Sequence, residues 1–252
     1  ILAESCWHIF VLLKAYKLNC LEPNKKEIEQ FYDGFKHHQQ HLGVTLRHRK
    51  IARMLKAFGL KKTDAVLEVG CGIGTVSGLI IPNNKKGKFV GVDISAESIR
   101  LAQNSYKKYT HASFLVNDMG DFNTDVRFDW FVFPDVLEHI PVSNHPSIFK
   151  TLRLFSKPNA KILIHIPHPK RIAWLRTHQP EQLQIIDQEL DVLNSIQMLQ
   201  KEGFVLSYYQ EYALHHKPYD YIFMMFRTET KDTAFKLKNV ITRAWEHWLS
   251  KW

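Results

Sequence analysis

Glu68 stands just before three glycines at alternate positions, Gly70, Gly72 and Gly74. Glycines at that spacing let the backbone turn sharply and let a ligand reach main-chain N–H groups with no Cβ in the way. A phosphate-binding P-loop would need Lys followed by Ser or Thr, which is missing, and a dinucleotide fingerprint asks for no acid before its glycines. Further acids close later apolar runs at Asp93 and Asp118, and Asp135 follows Phe133-Pro134. Histidines recur downstream at His139, His165 and His168, with His48 upstream. A neutral imidazole, with an unperturbed pKa of about 6.5, is suited to take the proton of an alcohol or phenol.

The elements that must position these residues alternate between strand and helix. Ala65–Val69 is an apolar run of the kind a strand buried on both faces needs. After the glycines an apolar segment runs to Pro82, enough for about two helical turns. Lys88–Asp93 is the next strand, and Ser95 caps a helix with Ile99, Ala102 and Tyr106 inward. A third strand ends at Asp118, and a fourth begins at Phe128. His145-Pro146 starts a helix, Ala160–Pro169 is a fifth strand, and Phe204–Leu214 with Tyr219–Arg227 reads as a hairpin around Lys217-Pro218. This is a doubly wound α/β pattern, in which ligands sit at the carboxyl ends of the strands.

Glu68-x-Gly70-x-Gly72-x-Gly74, with Asp93, Asp118 and the Asp135-Val136-Leu137-Glu138-His139 turn in order after it, resembles the class I S-adenosylmethionine (SAM)-dependent methyltransferases. The resemblance covers roughly residues 51–227. It implies a Rossmann-like seven-stranded sheet whose last strand is antiparallel, with helices added at both ends. It also implies that SAM, leaving as S-adenosylhomocysteine, lies against Glu68, Gly70, Gly72 and Gly74. Asp93 would bind the two ribose hydroxyls and Asp118 the adenine amino group, with Ile94, Asn117, Met119 and Phe133 as further cofactor contacts. Enzymes of this family that methylate exocyclic base nitrogens carry Asn/Asp-Pro-Pro-Tyr/Phe after the fourth strand; Phe133-Pro134-Asp135-Val136 departs from that. The turn is instead similar to small-molecule enzymes, including the quinone-biosynthesis methyltransferases. The expectation is methyl transfer to an oxygen, less readily to nitrogen or carbon, of a small aromatic or partly apolar acceptor. His139 and His165 are the candidate bases, and Arg47, His48, Asp135, His168 and Trp174 the candidate acceptor contacts. A nucleic-acid or protein methyltransferase using the basic surface, or a SAM-binding relative without turnover, are the alternatives.

The flanks divide the chain into residues 1–58, a core over 59–229 with an acceptor-pocket insertion at 167–186, and a C-terminal amphipathic helix over 230–252. Asn24 and Glu27 form a capping-box pattern, and Ile28, Phe31, Tyr32 and Phe35 share a helical face beyond it. Residues 31–48 then read as a lid, with Tyr32 approaching the cofactor from above. His37, His38 and His41 lack acids or cysteines to complete a metal shell, so no metal is expected. The net charge of +9 fits nucleic acid, a membrane surface or an acidic ligand, but also a solvated surface. Nucleic acid is disfavoured by the missing Pro-Pro motif; the C-terminal helix offers a membrane-surface or homodimer contact. Three scattered cysteines make no disulfide framework, which sets a reducing, cytoplasmic compartment as the default. The chain opens on Ile1 rather than Met, which leaves a preceding segment open.

Overall fold

Alternation within the apolar runs decides which face of the sheet each residue serves. In β1 (Ala65–Val69), Ala65, Leu67 and Val69 join one buried cluster and Val66 the other, so both faces are covered by helices. The computed structural model describes residues 23–229. The chain runs α1 (Lys25–Leu42), α2 (Leu46–Ala57), β1, α3 (Ser77–Ile80), β2 (Lys88–Asp93), α4 (Ala96–Tyr106), β3 (Ala112–Val116) and β4 (Phe128–Pro134). It continues through α5 (His145–Leu154), β5 (Ser156–Pro167), α6 (Pro169–His178), α7 (Val192–Lys201), β6 (Phe204–Tyr212) and β7 (Tyr221–Thr228). The strand order is β3-β2-β1-β4-β5-β7-β6, with β7 alone antiparallel to its neighbours. The expected Rossmann-like α/β sheet is therefore present, antiparallel last strand included. The order reverses between β1 and β4, and that is the switch point where such sheets bind ligands.

Local signals placed the elements well, with four differences. α1 starts on the expected capping box: Asn24 accepts from the Glu27 N–H and Glu27 from the Asn24 N–H. It runs on through the first part of the lid segment, because Lys36–Leu42 contains no breaker; Gly43, at φ +56°, ends it. The glycine turn is followed by a single helical turn rather than two, since Pro82 draws the chain into a 3₁₀ turn. β3 ends at Val116, two residues before Asp118. β5 begins four residues earlier than the apolar run, at Ser156, with Asn159 in the left-handed region where its register shifts. The first 22 residues of the N-terminal segment and the expected amphipathic helix over 230–252 lie outside the described residues. No helix among the described residues is long and apolar enough to cross a membrane.

Candidate active site

The carboxyl edge of β1, β2, β4 and β5 opens into a cavity of about 1230 Å³, roofed by α1 and the start of α2 and walled by residues 167–187. It has two halves. Over β1–β3, the chain leaves Val69 through Gly70, whose φ of +70° is one that L side chains rarely adopt. A Cβ there would also collide with Val136. Asp93, at the end of β2, accepts from the Gly72 N–H at 2.8 Å and the Ser95 N–H at 2.9 Å. The carboxylate thus braces the glycine turn, and burial raises its pKa against those two hydrogen bonds. Glu68 is 1% exposed and accepts from the Ser77 hydroxyl at 2.7 Å. Burial outweighs that bond and pushes its pKa up to about 8, so the side chain is largely protonated at neutral pH. Asp118 pairs with Lys25 at 2.6 Å and accepts from the Gly120 N–H; together these outweigh burial and lower its pKa.

The roof is tied down at the start of α4. Asp33 accepts from the Ser95 hydroxyl at 2.6 Å, and Lys36 meets Glu97 at 2.6 Å. This sets Tyr32 and Gln39 over the cavity, with Gln39 against Gly72. The Tyr32 hydroxyl and the Gln39 carbonyl oxygen are buried there without hydrogen-bond partners. Groups of that kind cost about 1–3 kcal/mol each unless a ligand or water meets them. His37, His38 and His41 sit exposed at the rim, and no group of three metal-ligating side chains converges among the described residues.

The other half lies over β4, β5 and β7. Asp135, at φ +55°, turns its carboxylate between Arg47, with Nε at 3.1 Å, and His165, with Nδ1 at 2.5 Å. His165 Nε2 in turn receives the Tyr212 hydroxyl at 2.7 Å. Burial opposes charge on Asp135, yet Arg47 and then His165 outweigh it and hold the carboxyl below its ordinary range. His48 lines the cavity and accepts from the Thr45 N–H at 3.1 Å. Burial and the neighbouring Arg47 lower its pKa to about 4, so it is neutral. His139 also faces the cavity: its Nδ1 lies 2.6 Å from the Ile186 carbonyl and 3.3 Å from Asp187 Oδ1. A proton on Nδ1 satisfies both oxygens and leaves Nε2 with its lone pair, 3.6 Å from Glu138 Oε1. Glu138 is 2% exposed, and burial with Asp135 nearby raises its pKa well above the usual range.

The fold separates the residues nominated from sequence into two sets. Tyr32, Arg47, His48, Glu68, Gly70, Asp93, Ile94, Asn117, Asp118, Asp135 and His139 all line the cavity. The others are corrected. His165 is fully buried behind Asp135 and cannot touch an acceptor; it positions Asp135 instead. Met119 and Phe133 point into the core on the face opposite Glu68. His168 caps α6 through the Lys170 N–H, and Trp174 lies half-exposed, stacked on His178 outside the cavity. Gly74 packs beneath Tyr106, whose hydroxyl donates to its carbonyl, and Gly72 contributes through Asp93. Residues to which sequence assigned no role complete the site: Gln39, Glu138, Arg171, Gln184, Asp187 and Tyr221. Only the fold could pair Asp187 with His139, 48 positions away, because the link runs through the wall segment.

A glycine turn with an acid on the next strand, at the switch point of a six-plus-one sheet, is the arrangement of a Rossmann-like domain that binds a nucleotide-type ligand. A family model described as a methyltransferase domain matches residues 60–241, and the chain belongs to that family, the class I SAM-dependent methyltransferases. Among curated proteins it is 28% identical over 118 residues to (S)-coclaurine N-methyltransferase of Papaver somniferum, covering 46% of this chain and 33% of that one. It is 28% identical over 98 residues to malonyl-[acyl-carrier protein] O-methyltransferase 1 of Ilyobacter polytropus, covering 39% and 34%. The chain thus spans about a third of the length of the curated relatives it matches. Magnesium protoporphyrin IX methyltransferase from Synechocystis PCC 6803 with bound SAM shares the fold at a TM-score of 0.62 and 18% identity, over 84% of this chain and all of that one.

Proposed function

We propose that this chain transfers the methyl group of SAM to an oxygen of a small, planar or partly apolar acceptor, with His139 as the base. The observation that carries the reading is His139 itself, which lines the cavity with Nδ1 held by the Ile186 carbonyl and Asp187, and with Nε2 making no hydrogen bond, 3.6 Å from Glu138 Oε1. The residues over β1–β3 fit SAM: a braced glycine turn, the strand-end acids Asp93 and Asp118, and two orphaned polar atoms overhead on Tyr32 and Gln39. Bound there, SAM supplies an electrophilic methyl on a sulfonium. The chain's own part is to align an acceptor hydroxyl with that methyl in a site closed to water. As the oxygen attacks, its proton passes to His139 Nε2, and the imidazolium is stabilised by the Asp187 carboxylate. Ile172, Leu175 and Tyr221 supply the apolar wall for an aromatic acceptor.

The test is S-adenosylhomocysteine release by purified protein across a panel of phenols, alcohols and amines, with wild type beside His139→Gln. A general base contributes roughly 10²–10⁴-fold, so His139→Gln should lose that much turnover on a hydroxyl acceptor while binding S-adenosylhomocysteine normally. Equal rates in the two proteins would remove His139 from the chemistry.

A further inference from the structure

Acids and bases in the acceptor half are unequally satisfied. Asp135 already faces Arg47 and His165 with its two oxygens. Asp187 takes the Gln184 N–H on one oxygen and lies against His139 with the other. Asp220, fully buried, accepts three backbone N–H groups, from Leu214, His215 and His216. Glu138 is 2% exposed, with burial raising its pKa, and Glu181 is exposed at the rim. Arg171 is the opposite case. It lines the cavity from the first turn of α6, its Nη1 is buried without a hydrogen-bond partner, and its nearest carboxylate, Asp220, is 3.5 Å away. Its guanidinium lies 5.7 Å from the centre of the Tyr221 ring, and that of Arg47 lies 5.8 Å from the same ring.

We infer that the acceptor carries an anionic group, a carboxylate or a phosphate, held at the Tyr221 wall by Arg171 with Arg47 beside it. The inference rests on the methyl-transfer reading and names the substrate class of that site. An anion finds at Arg171 a buried, unpartnered donor on a planar fork suited to bidentate capture, with a second guanidinium, Arg47, at the same ring. The cofactor's own carboxylate is the competing source of the same chemistry. Position argues against it: Tyr221 opens β7, three strands from β1, and at about 4.8 Å per strand that is roughly 14 Å from the glycine turn.

The probes are para-hydroxyphenylacetate, its amide, para-hydroxyphenyl phosphate and tyramine, titrated by calorimetry into protein saturated with S-adenosylhomocysteine. Charge-assisted hydrogen bonds should make the carboxylate or phosphate bind roughly ten- to a hundredfold tighter than the amide. Arg171→Gln should remove that preference, Arg171→Lys should restore part of it, and neither should alter S-adenosylhomocysteine affinity. The tighter of the two anions identifies the group. Equal binding of amide and anions, preference for tyramine, or no binding of any probe to the loaded protein would overturn the inference. So would loss of S-adenosylhomocysteine affinity in Arg171→Gln, which would give the arginine to the cofactor. Wild-type protein that does not bind S-adenosylhomocysteine at all would instead refute the methyl-transfer reading beneath it.

Discussion

Glu68→Gln should make the protein more stable above neutral pH. The side chain is 1% exposed, and its single hydrogen bond comes from Ser77, which Gln can still accept. In the fold Glu68 titrates at about 8 against an ordinary 4.5, so folding takes up a proton between those values. Because the folded pKa is raised, the stabilising contribution is complete below pH 4.5 and is lost as pH rises through 8. Integrating the linkage gives a loss of about 3–4 kcal/mol between pH 5 and pH 8. At roughly 2–4 °C per kcal/mol for a domain of this size, that is about 6–16 °C in melting temperature. The assay is thermal unfolding of wild type and Glu68→Gln at both pH values without ligand. Other titrating groups are shared, so the difference between the two proteins isolates Glu68. The gap should open from near zero at pH 5 to the full amount at pH 8. Parallel pH profiles would refute the reasoning and show that Glu68 is ionised in the fold.

Asp93→Ala should weaken S-adenosylhomocysteine binding by about 1.5–3 kcal/mol, the range for hydrogen bonds to a charged group; unchanged affinity by calorimetry would remove Asp93 from the site. Tyr212→Phe leaves His165 Nε2 buried without its donor and should lower the urea-unfolding free energy by about 1–3 kcal/mol; an unchanged midpoint would deny the Tyr212–His165–Asp135 relay. Hydrogen exchange over residues 31–48 should slow when S-adenosylhomocysteine is added, because Tyr32 and Gln39 gain partners; slow exchange unaffected by ligand would make the roof plain scaffold.

The sheet was legible because its strands are apolar runs bounded by turn residues, and Asp93 and Gly70 because glycines and acids at strand ends leave a pattern in the chain itself. Within β5, though, every residue from Ile162 to Ile166 is buried, so alternation could not say that His165 turns behind Asp135 rather than toward a ligand. Its partner Tyr212 belongs to β6, 47 positions away. Trp174 looked like a pocket wall from its place in the 167–186 insertion. The insertion forms α6, which presents Ile172 and Leu175 inward and Trp174 outward, a choice of face that a 10-residue helix with little amphipathic contrast does not announce. Arg171, on the same helix, was not singled out, because Lys170 and Arg176 offer the same charge nearby and nothing in the chain itself marks which of the three lines the cavity.

The measurement that bears most directly on the account is transfer of label from SAM carrying a tritiated methyl group. Purified protein is offered a mixture of phenolic and alcoholic small molecules, total RNA and bulk protein. The account predicts that label enters a small-molecule fraction at catalytic turnover and that His139→Gln reduces it roughly 10²-fold or more. Label appearing in RNA or protein instead, or no transfer by a protein that binds S-adenosylhomocysteine, would contradict it.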